Sequence, residues 1–277
     1  MKKSLLLILL FLTVMLYAQT HRFIYELKFK LDSTLDKPEV TQMVLDINPN
    51  SVKFYEYDFL EMDSINKANL NTGYQVWGSQ NIVTRKRNSL ENRNYENIDN
   101  VYIYKTTDPI EWRLSKDTKK VGSYTLQKAT TDFGGRSWIA WFTQEIPYSE
   151  GPYKFRGLPG LIFEIHDTGN SYAYSMIESL KLDKTFDTSG FIENHAGSKP
   201  IEVSEKIIRQ KKLEYYEDPL RDFRLQFDQE PNTKFYYRGT QITAKDQLKK
   251  HAKDAQEHIR RENNPIELDK AIHYPKR

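Results

Sequence analysis

Cysteine is absent from this chain of 277 residues. Its absence excludes disulfide bonds, thiolate metal sites and a cysteine nucleophile, and it also excludes lipid attachment to a cysteine after export. A glycine-rich phosphate loop is lacking as well, because Gly134-Gly135-Arg136 precedes a strand pattern and is typical of a turn. The chain has no G-x-S-x-G sequence, the elbow that presents a nucleophilic serine. Several common signatures of catalysis are therefore missing.

Charge of neither sign predominates, since 41 Lys and Arg stand against 38 Asp and Glu. The formal charge of +3 falls to +1 if Lys2 and Lys3 are removed with an export signal. Nucleic-acid-binding proteins usually carry a basic patch or stripe, so the sequence predicts no nucleic-acid partner. It also predicts no transmembrane segment after signal removal, because no apolar run approaches the length of about 20 residues that a spanning helix needs.

The first 18 residues have the pattern of a secretory signal peptide. Two lysines precede an apolar run from Leu5 to Leu16, and Tyr17-Ala18-Gln19 follows with a small residue before a polar one. We expect cleavage after Ala18 and release of the mature chain to the periplasm or the cell exterior. An uncleaved, short membrane anchor is the alternative.

Strand patterns dominate residues 19–198, in a chain that is 13% aromatic and contains 18 Tyr and 14 Phe. Residues 22–31 alternate cleanly between apolar and polar side chains, which predicts a half-buried strand. Residues 58–72 are polar and predict a loop. Further strands are predicted at 40–47, 52–57, 74–85, 100–104, 111–114, 123–127, 137–146, 161–166 and 171–182.

Helical patterns replace strand patterns in the charged region 199–277. Residues 204–216 have helical spacing, and residues 244–262 predict a stronger helix that Thr243 caps. We expect the tail from Asn263 to fray. The sequence thus predicts a mainly β (α+β) fold, a curved antiparallel sheet or half-barrel with a C-terminal helical element.

One segment carries a family resemblance. Residues 124–167 read YTLQKATTDFGGRSWIAWFTQEIPYSEGPYKFRGLPGLIFEIHD. The segment resembles the GLPGLI family, exported proteins of Bacteroidetes whose biochemical function is not established. It contains the hexapeptide Gly157-Leu158-Pro159-Gly160-Leu161-Ile162 and the family's other landmarks in order, which are KA, GR, an AW-Y/F-T run, EIP and GP-x-x-F. Many relatives have a cysteine where this chain has Leu126, so any role of that thiol is absent here.

The hexapeptide also has a physical interpretation. Pro159 fixes its own φ and the flanking glycines permit positive φ, so the sequence predicts a sharp turn that leads into a buried strand. Under a structural hypothesis the segment is a fold-defining corner. Under a functional one, residues 148–156 form the rim of a binding cleft. The possible ligand-facing residues are Trp138, Trp141, Tyr148, Tyr153, Phe155 and Arg156.

The histidines offer two weak catalytic or metal candidates. His251 and His258 are seven residues apart, on one helical face, and could bind a transition metal with a third ligand. His166-Asp167 follows a buried strand, where catalytic groups can gather. Solvated surface histidines explain these positions equally well. We therefore assign no catalytic residue, no metal ligand and no cofactor.

The sequence favours an exported envelope protein without catalytic activity, a binding or assembly factor for a lipid, a peptide or an outer-membrane transport complex. A secreted hydrolase acting on peptide or glycan is one alternative, and a structural scaffold is another. An open apolar trough beside strand 137–146 would favour ligand carriage, whereas a filled sheet interior would favour a scaffold.

Overall fold

The computed structural model describes residues 19–69, 77–80, 82–195, 197–230, 234–237 and 239–276. The expected signal peptide, residues 1–18, lies outside the described residues. The fold is mainly β, as predicted, with one large curved open sheet and helices concentrated towards the C-terminus. Among the described residues, no helix combines the length and the apolar character that crossing a membrane requires.

In the part of the chain that the structure describes, twelve strands form the large sheet, and two more form a small hairpin. In chain order the strands are β1 (Thr20–Phe29), β2 (Glu39–Ile47), β3 (Ser51–Glu56), β4 (Ile82–Lys86), β5 (Glu91–Asn97), β6 (Val101–Thr107), β7 (Arg113–Val121), β8 (Tyr124–Phe133), β9 (Arg136–Thr143), β10 (Leu161–Asp167), β11 (Tyr172–Leu182), β12 (Ile201–Glu202), β13 (Phe235–Tyr237) and β14 (Thr240–Ile242). Their order in the large sheet is β12-β6-β5-β4-β3-β2-β1-β11-β10-β9-β8-β7. Neighbouring strands are antiparallel, except that β12 runs parallel to β6.

The described residues also form four α-helices. They are α1 (Asp58–Ala68), α2 (Glu205–Glu217), α3 (Arg221–Gln229) and α4 (Leu248–Arg261). The Ser204 hydroxyl caps α2 by accepting a hydrogen bond from the backbone N–H of Ile207. The predicted Thr243 cap of the last helix is wrong in detail, because the Gln247 side chain instead accepts hydrogen bonds from two backbone N–H groups just before the helix.

One face of the large sheet, here called the inner face, carries the main apolar core. The alternation of β1 is the reason, because Phe23, Tyr25, Leu27 and Phe29 all point to this face and all are buried. Strands β2, β3, β9, β10 and β11 contribute the neighbouring rows of buried side chains. Burial of one such apolar side chain stabilises the fold by about 1.5–3 kcal/mol.

The inner face is filled by the chain's own loop, residues 144–160. Tyr153, Phe155 and Leu158 of this loop lie in the main core, and the Phe155 ring lies 4.6 Å from the Trp138 ring. Two glycines allow the backbone of the loop to turn back onto the sheet. Gly157 has φ of +97°, and a Cβ built on Gly160 would overlap the carbonyl oxygen of Thr143. The predicted turn therefore brings the loop back onto the sheet.

The opposite face of β2 to β6 has a second, smaller core. Phe59 and Met62 of α1 pack there with Phe191 and Ile192, over Tyr55 and other buried side chains of the sheet. The prediction of a loop at 58–72 was wrong for residues 58–68. The helix is polar around most of its circumference, and only two of its side chains are buried, so its periodic signal is weak.

Three further expectations need correction. The charge-rich stretch that contains β5 is a strand in the middle of one half of the sheet, although no strand was predicted there. Residues 77–80, within a predicted strand, are not a strand. The tail does not fray, because Asn264, Glu267 and Ile272 are buried. Residues 262–276, here called the C-terminal segment, return to the β-sheet.

Candidate functional site

A cavity of about 450 Å³ lies where the β5–β6 part of the sheet meets α2, α4 and the C-terminal segment. Its size is within the range of about 300–1,000 Å³ that small-molecule sites occupy. Each wall contributes both apolar and polar groups. Among the lining residues are Trp77, Glu96, Tyr104, Tyr153, Lys212, His258, Glu267 and Lys270.

The sheet side of the cavity is built from inward-facing polar residues of β5 and β6. The Tyr104 hydroxyl donates a hydrogen bond to Glu96 (2.9 Å), and the Lys212 ammonium of α2 lies 2.5 Å from the same carboxylate. Burial raises the pKa of Tyr104, and the neighbouring Glu96 raises it further. This wall therefore presents a protonated phenol at neutral pH and a charge pair that bridges sheet and helix.

A buried network of charged groups forms the floor. Lys154 is completely buried, and its ammonium lies 2.6 Å from Glu267 and 3.1 Å from Asp108. The Tyr153 hydroxyl donates to Glu267, and Lys270 lies 2.7 Å from the same carboxylate. Lysine is rarely fully buried unless it is paired, and here two carboxylates satisfy it. We call these five residues the buried network.

Charge interactions set the protonation of the buried network. Burial alone would raise the pKa of Asp108 and Glu267, but the Lys154 ammonium and the hydrogen bonds that they accept outweigh burial, so both carboxyl pKa values are lowered. Burial raises the pKa of Tyr153, and Glu267 raises it further. At neutral pH the floor therefore holds ionised carboxylates beside a protonated phenol.

Arg136 fixes the C-terminal segment that closes the cavity. Its guanidinium donates to Asp167, to the Asn264 side chain (2.6 Å) and to the carbonyls of Pro265 and Ile266. The Tyr172 hydroxyl donates to the Asn264 carbonyl, and the Asn264 amide donates to a carbonyl at the end of β1. One wall of the cavity thus depends on a segment held to the sheet by polar contacts.

The six residues that the sequence offered as ligand-facing are dispersed. Trp138 and Phe155 are buried in the main core, where they contact each other. Tyr153 is buried at the cavity floor. Tyr148, Arg156 and Trp141 are half-buried and lie away from the cavity, with the Lys119 ammonium 4.6 Å from the Trp141 ring centre. A ligand-facing role for these residues stays a prediction.

The histidine candidates lie apart from one another. His166 and Asp167 are successive residues of β10 and point to opposite faces, with Asp167 paired to Arg136. His258 lines the cavity and pairs with Glu262 at 2.7 Å, while the His251 ring packs against the Tyr237 ring. In the described part of the chain, no group of three or more His, Asp or Glu side chains is arranged to hold a metal.

Sequence reasoning missed most of the cavity. Its walls come from residues about 30, 100, 150, 210 and 265 in the chain, so no local motif could mark it. Alternation gave no signal in β5 either, because six of its seven residues are charged or carry amides. Chemically, the arrangement offers phenol, carboxylate and ammonium groups beside apolar walls, which suits binding of a small polar molecule.

Comparison with known proteins finds a similarity for part of the chain. A family model described as "Protein of unknown function (Porph_ging)" matches residues 135–164, which span Arg136, Lys154 and the hexapeptide. No curated protein matches the chain significantly.

Solved structures of PNGF-II in C2 and P21 space groups share the fold, with TM-scores of 0.53 and 0.52 at 14% and 15% sequence identity. The similarity covers 70% of this chain and 32% and 33% of PNGF-II, so the chain spans about a third of the length of PNGF-II. At this identity the likeness concerns the fold alone.

Proposed function

We propose that this protein is an exported, non-catalytic binding protein that holds a small polar ligand in the cavity between its sheet and its C-terminal helices. The observation that carries the proposal is the cavity itself, which combines a volume suited to a small molecule with buried phenol and carboxylate groups and the half-buried ammonium groups of Lys212 and Lys270. A buried charged network is costly to maintain for stability alone. Because the network lies at the floor of the cavity, we infer that it orients a bound ligand.

The filling of the sheet argues for a small ligand rather than a lipid. An apolar trough on the inner face would suit an acyl chain, but residues 144–160 occupy that face with Tyr153, Phe155 and Leu158. The cavity, in contrast, is lined by charged and aromatic groups as well as by isoleucines. A molecule that offers hydrogen-bonding groups and some apolar surface fits it better than a hydrocarbon chain does.

Export and family membership are parts of the same proposal. We infer that residues 1–18 act as a signal peptide and that the chain is a GLPGLI-type protein of the periplasm or cell exterior. The ordered landmarks between Lys128 and Ile162 support the family, and the N-terminal pattern supports export. Mass spectrometry of the secreted or periplasmic fraction should find a mature chain that begins at Gln19.

Native mass spectrometry of the protein purified from the producing cells tests the binding function. We expect a retained small molecule at mild activation, displaced or absent in an Ala271→Phe variant, because Ala271 lines the cavity and a larger side chain would fill it. The matched control is Ala68→Phe, at the exposed end of α1, which should keep the ligand.

Three outcomes would contradict the proposal. They are a retained phospholipid that the Ala271→Phe variant loses, an empty protein that gains no thermal stability from any small molecule in a metabolite panel, and turnover of a peptide or glycan panel that Glu267→Gln abolishes. The last result would favour the hydrolase alternative, since Glu267 is the buried carboxylate at the cavity floor.

A further inference from the structure

A second group of charged residues lies at the opposite end of the molecule's inner face and has no part in the cavity. It forms where the start of β1, the end of β4 and the end of β11 meet the loop 144–160. Its members, here called the basic cluster, are His21, Arg87, Tyr148, Arg156 and Lys181. All of them are half-buried or exposed.

Tyr148 is at the centre of the basic cluster. The His21 ring lies 5.0 Å from the Tyr148 ring, and the Arg87 guanidinium lies 5.4 Å from the Tyr148 ring centre. His21 faces Lys181 across the pairing of β1 with β11. The loop therefore supplies an aromatic platform close to the His21 ring of β1 and to cationic groups at the ends of β4 and β11.

The two arginines are held by backbone carbonyls rather than by carboxylates. Arg87 donates from Nη1 to the Asn48 carbonyl (3.2 Å), and Arg156 donates from Nη1 to the Ser89 carbonyl. Among the described residues, no ion pair joins either arginine or Lys181 to a carboxylate. Each guanidinium has five N–H donors, so both arginines keep donors for a ligand while their positions are fixed.

The charges behind the basic cluster do not offset its positive sign. The fully buried Arg85 pairs with Glu150, so that pair is neutral as a unit. The remaining cations therefore dominate the local field. Burial lowers the pKa of His21, and Lys181 and Arg87 lower it further, so the imidazole is neutral at neutral pH and feels its cationic neighbours directly.

We propose that the basic cluster is a binding site for a phosphate group, either free or carried on a lipid headgroup. Two positioned guanidinium groups and one ammonium match the several oxygens and the double charge of a phosphate better than a single carboxylate, and arginine forks bind phosphate in a bidentate manner. This inference is independent of the cavity and stands or falls separately from the proposed binding function.

Titration with inorganic phosphate at low ionic strength, followed by NMR of the His21 ring, tests the site. A bound dianion should raise the pKa of His21, because it counteracts Lys181 and Arg87. The double variant Arg87→Gln/Arg156→Gln should bind phosphate at least about tenfold more weakly, since each charged hydrogen bond contributes substantially. Lys116→Gln/Lys120→Gln removes the same charge from the exposed edge strand β7 and should bind normally.

Sedimentation with vesicles separates the two sources of phosphate. Binding to inorganic phosphate supports a site for the free anion, and binding only to phosphatidylglycerol vesicles, not to phosphatidylcholine vesicles, supports a headgroup site. Either result must be lost in the Arg87/Arg156 variant and kept in the Lys116/Lys120 variant. Absence of both kinds of binding, or equal loss in the two variants, overturns the proposal. Circular dichroism verifies that both variants are folded.

Discussion

Replacement of Lys154 by methionine would measure how much the ion pairs of the buried network contribute to the free energy of unfolding. The ammonium lies 2.6 Å from Glu267 and 3.1 Å from Asp108. At an effective dielectric constant of about 20, these distances correspond to attractions of about 6 and about 5 kcal/mol, which are offset by desolvation of several kcal/mol for each buried ion. Methionine keeps most of the side-chain volume, so the substitution mainly removes the charge.

The expected loss follows from the carboxylates left behind. Removal of one partner from a buried ion pair typically costs about 3–5 kcal/mol, because the remaining charge is uncompensated. Lys270 stays in contact with the same carboxylates, at 2.7 Å from Glu267 and 3.8 Å from Asp108. We therefore expect the free energy of unfolding to fall by about 3 kcal/mol, near the lower end of that range.

The loss of stability in the Lys154→Met variant should depend on pH, in a direction that follows from the carboxyl pKa shifts. In the wild type the lowered pKa values of Asp108 and Glu267 stabilise the fold above the unfolded pKa of about 4, and this contribution is lost as pH falls through the folded values. Without Lys154, burial pushes both carboxyl pKa values upward. The deficit of the variant should therefore be largest at neutral pH and shrink towards about pH 4.

Urea unfolding followed by tryptophan fluorescence measures the effect at pH 7 and at about pH 4.5. Lys120→Met on the exposed edge strand is the control and should leave the unfolding midpoint unchanged. Adding Glu267→Gln to Lys154→Met should restore about 1–2 kcal/mol, since it removes one orphaned charge. A deficit below about 1 kcal/mol, or one that is equal at the two pH values, would refute the charge argument.

Three further predictions concern the contacts that position the loop and the C-terminal segment. Gly160→Ala should prevent folding or destabilise it by several kcal/mol because of overlap with a carbonyl, whereas Gly122→Ala, with φ of +58° and open space around it, should cost only about 1 kcal/mol by chemical denaturation. Arg136→Ala should release the C-terminal segment, so that limited trypsin digestion removes it before the sheet is cut; identical digestion rates would contradict this. Tyr25→Phe should cost about 1–2 kcal/mol, because the lost hydroxyl leaves a buried carbonyl of the hexapeptide unpaired, and an unchanged urea midpoint would contradict it.

The sequence predicted the sheet best where one face of a strand meets an apolar core. From Tyr25 to Phe29 in β1, burial follows the alternation of apolar and polar side chains, so the period alone was sufficient there, whereas the buried Arg22 and Ile24 depart from it. The predicted turn at the hexapeptide also depends on local chemistry, since glycine and proline restrict the backbone wherever they occur. Such features need no knowledge of the rest of the fold.

The polar half of the inner face was not predictable by the same reasoning. In β5 the residues Asn92, Asn94 and Glu96 are buried, and their partners include Asp108, Thr106 and Tyr104 from the neighbouring strand and the chain that follows it. Because all three buried residues on the inner face of β5 are polar, an argument based on apolar alternation does not detect the strand. The C-terminal segment was missed for a similar reason, because side chains distant in sequence hold it through hydrogen bonds and ion pairs.

The segment matched by the family model, residues 135–164, contains the loop 144–160 and contacts the C-terminal segment beside the cavity. Arg136 holds the C-terminal segment from one side, and Tyr153 and Lys154 hold Glu267 from beneath. The hexapeptide turns the chain so that these groups reach the inner face. A corner that shapes the sheet and a loop that borders the cavity are compatible interpretations of this segment, because Tyr153 packs in the main core and also lines the cavity. If the cavity binds the proposed ligand, substitutions in this segment that displace Glu267 but keep the protein folded should weaken ligand retention while the sheet stays intact.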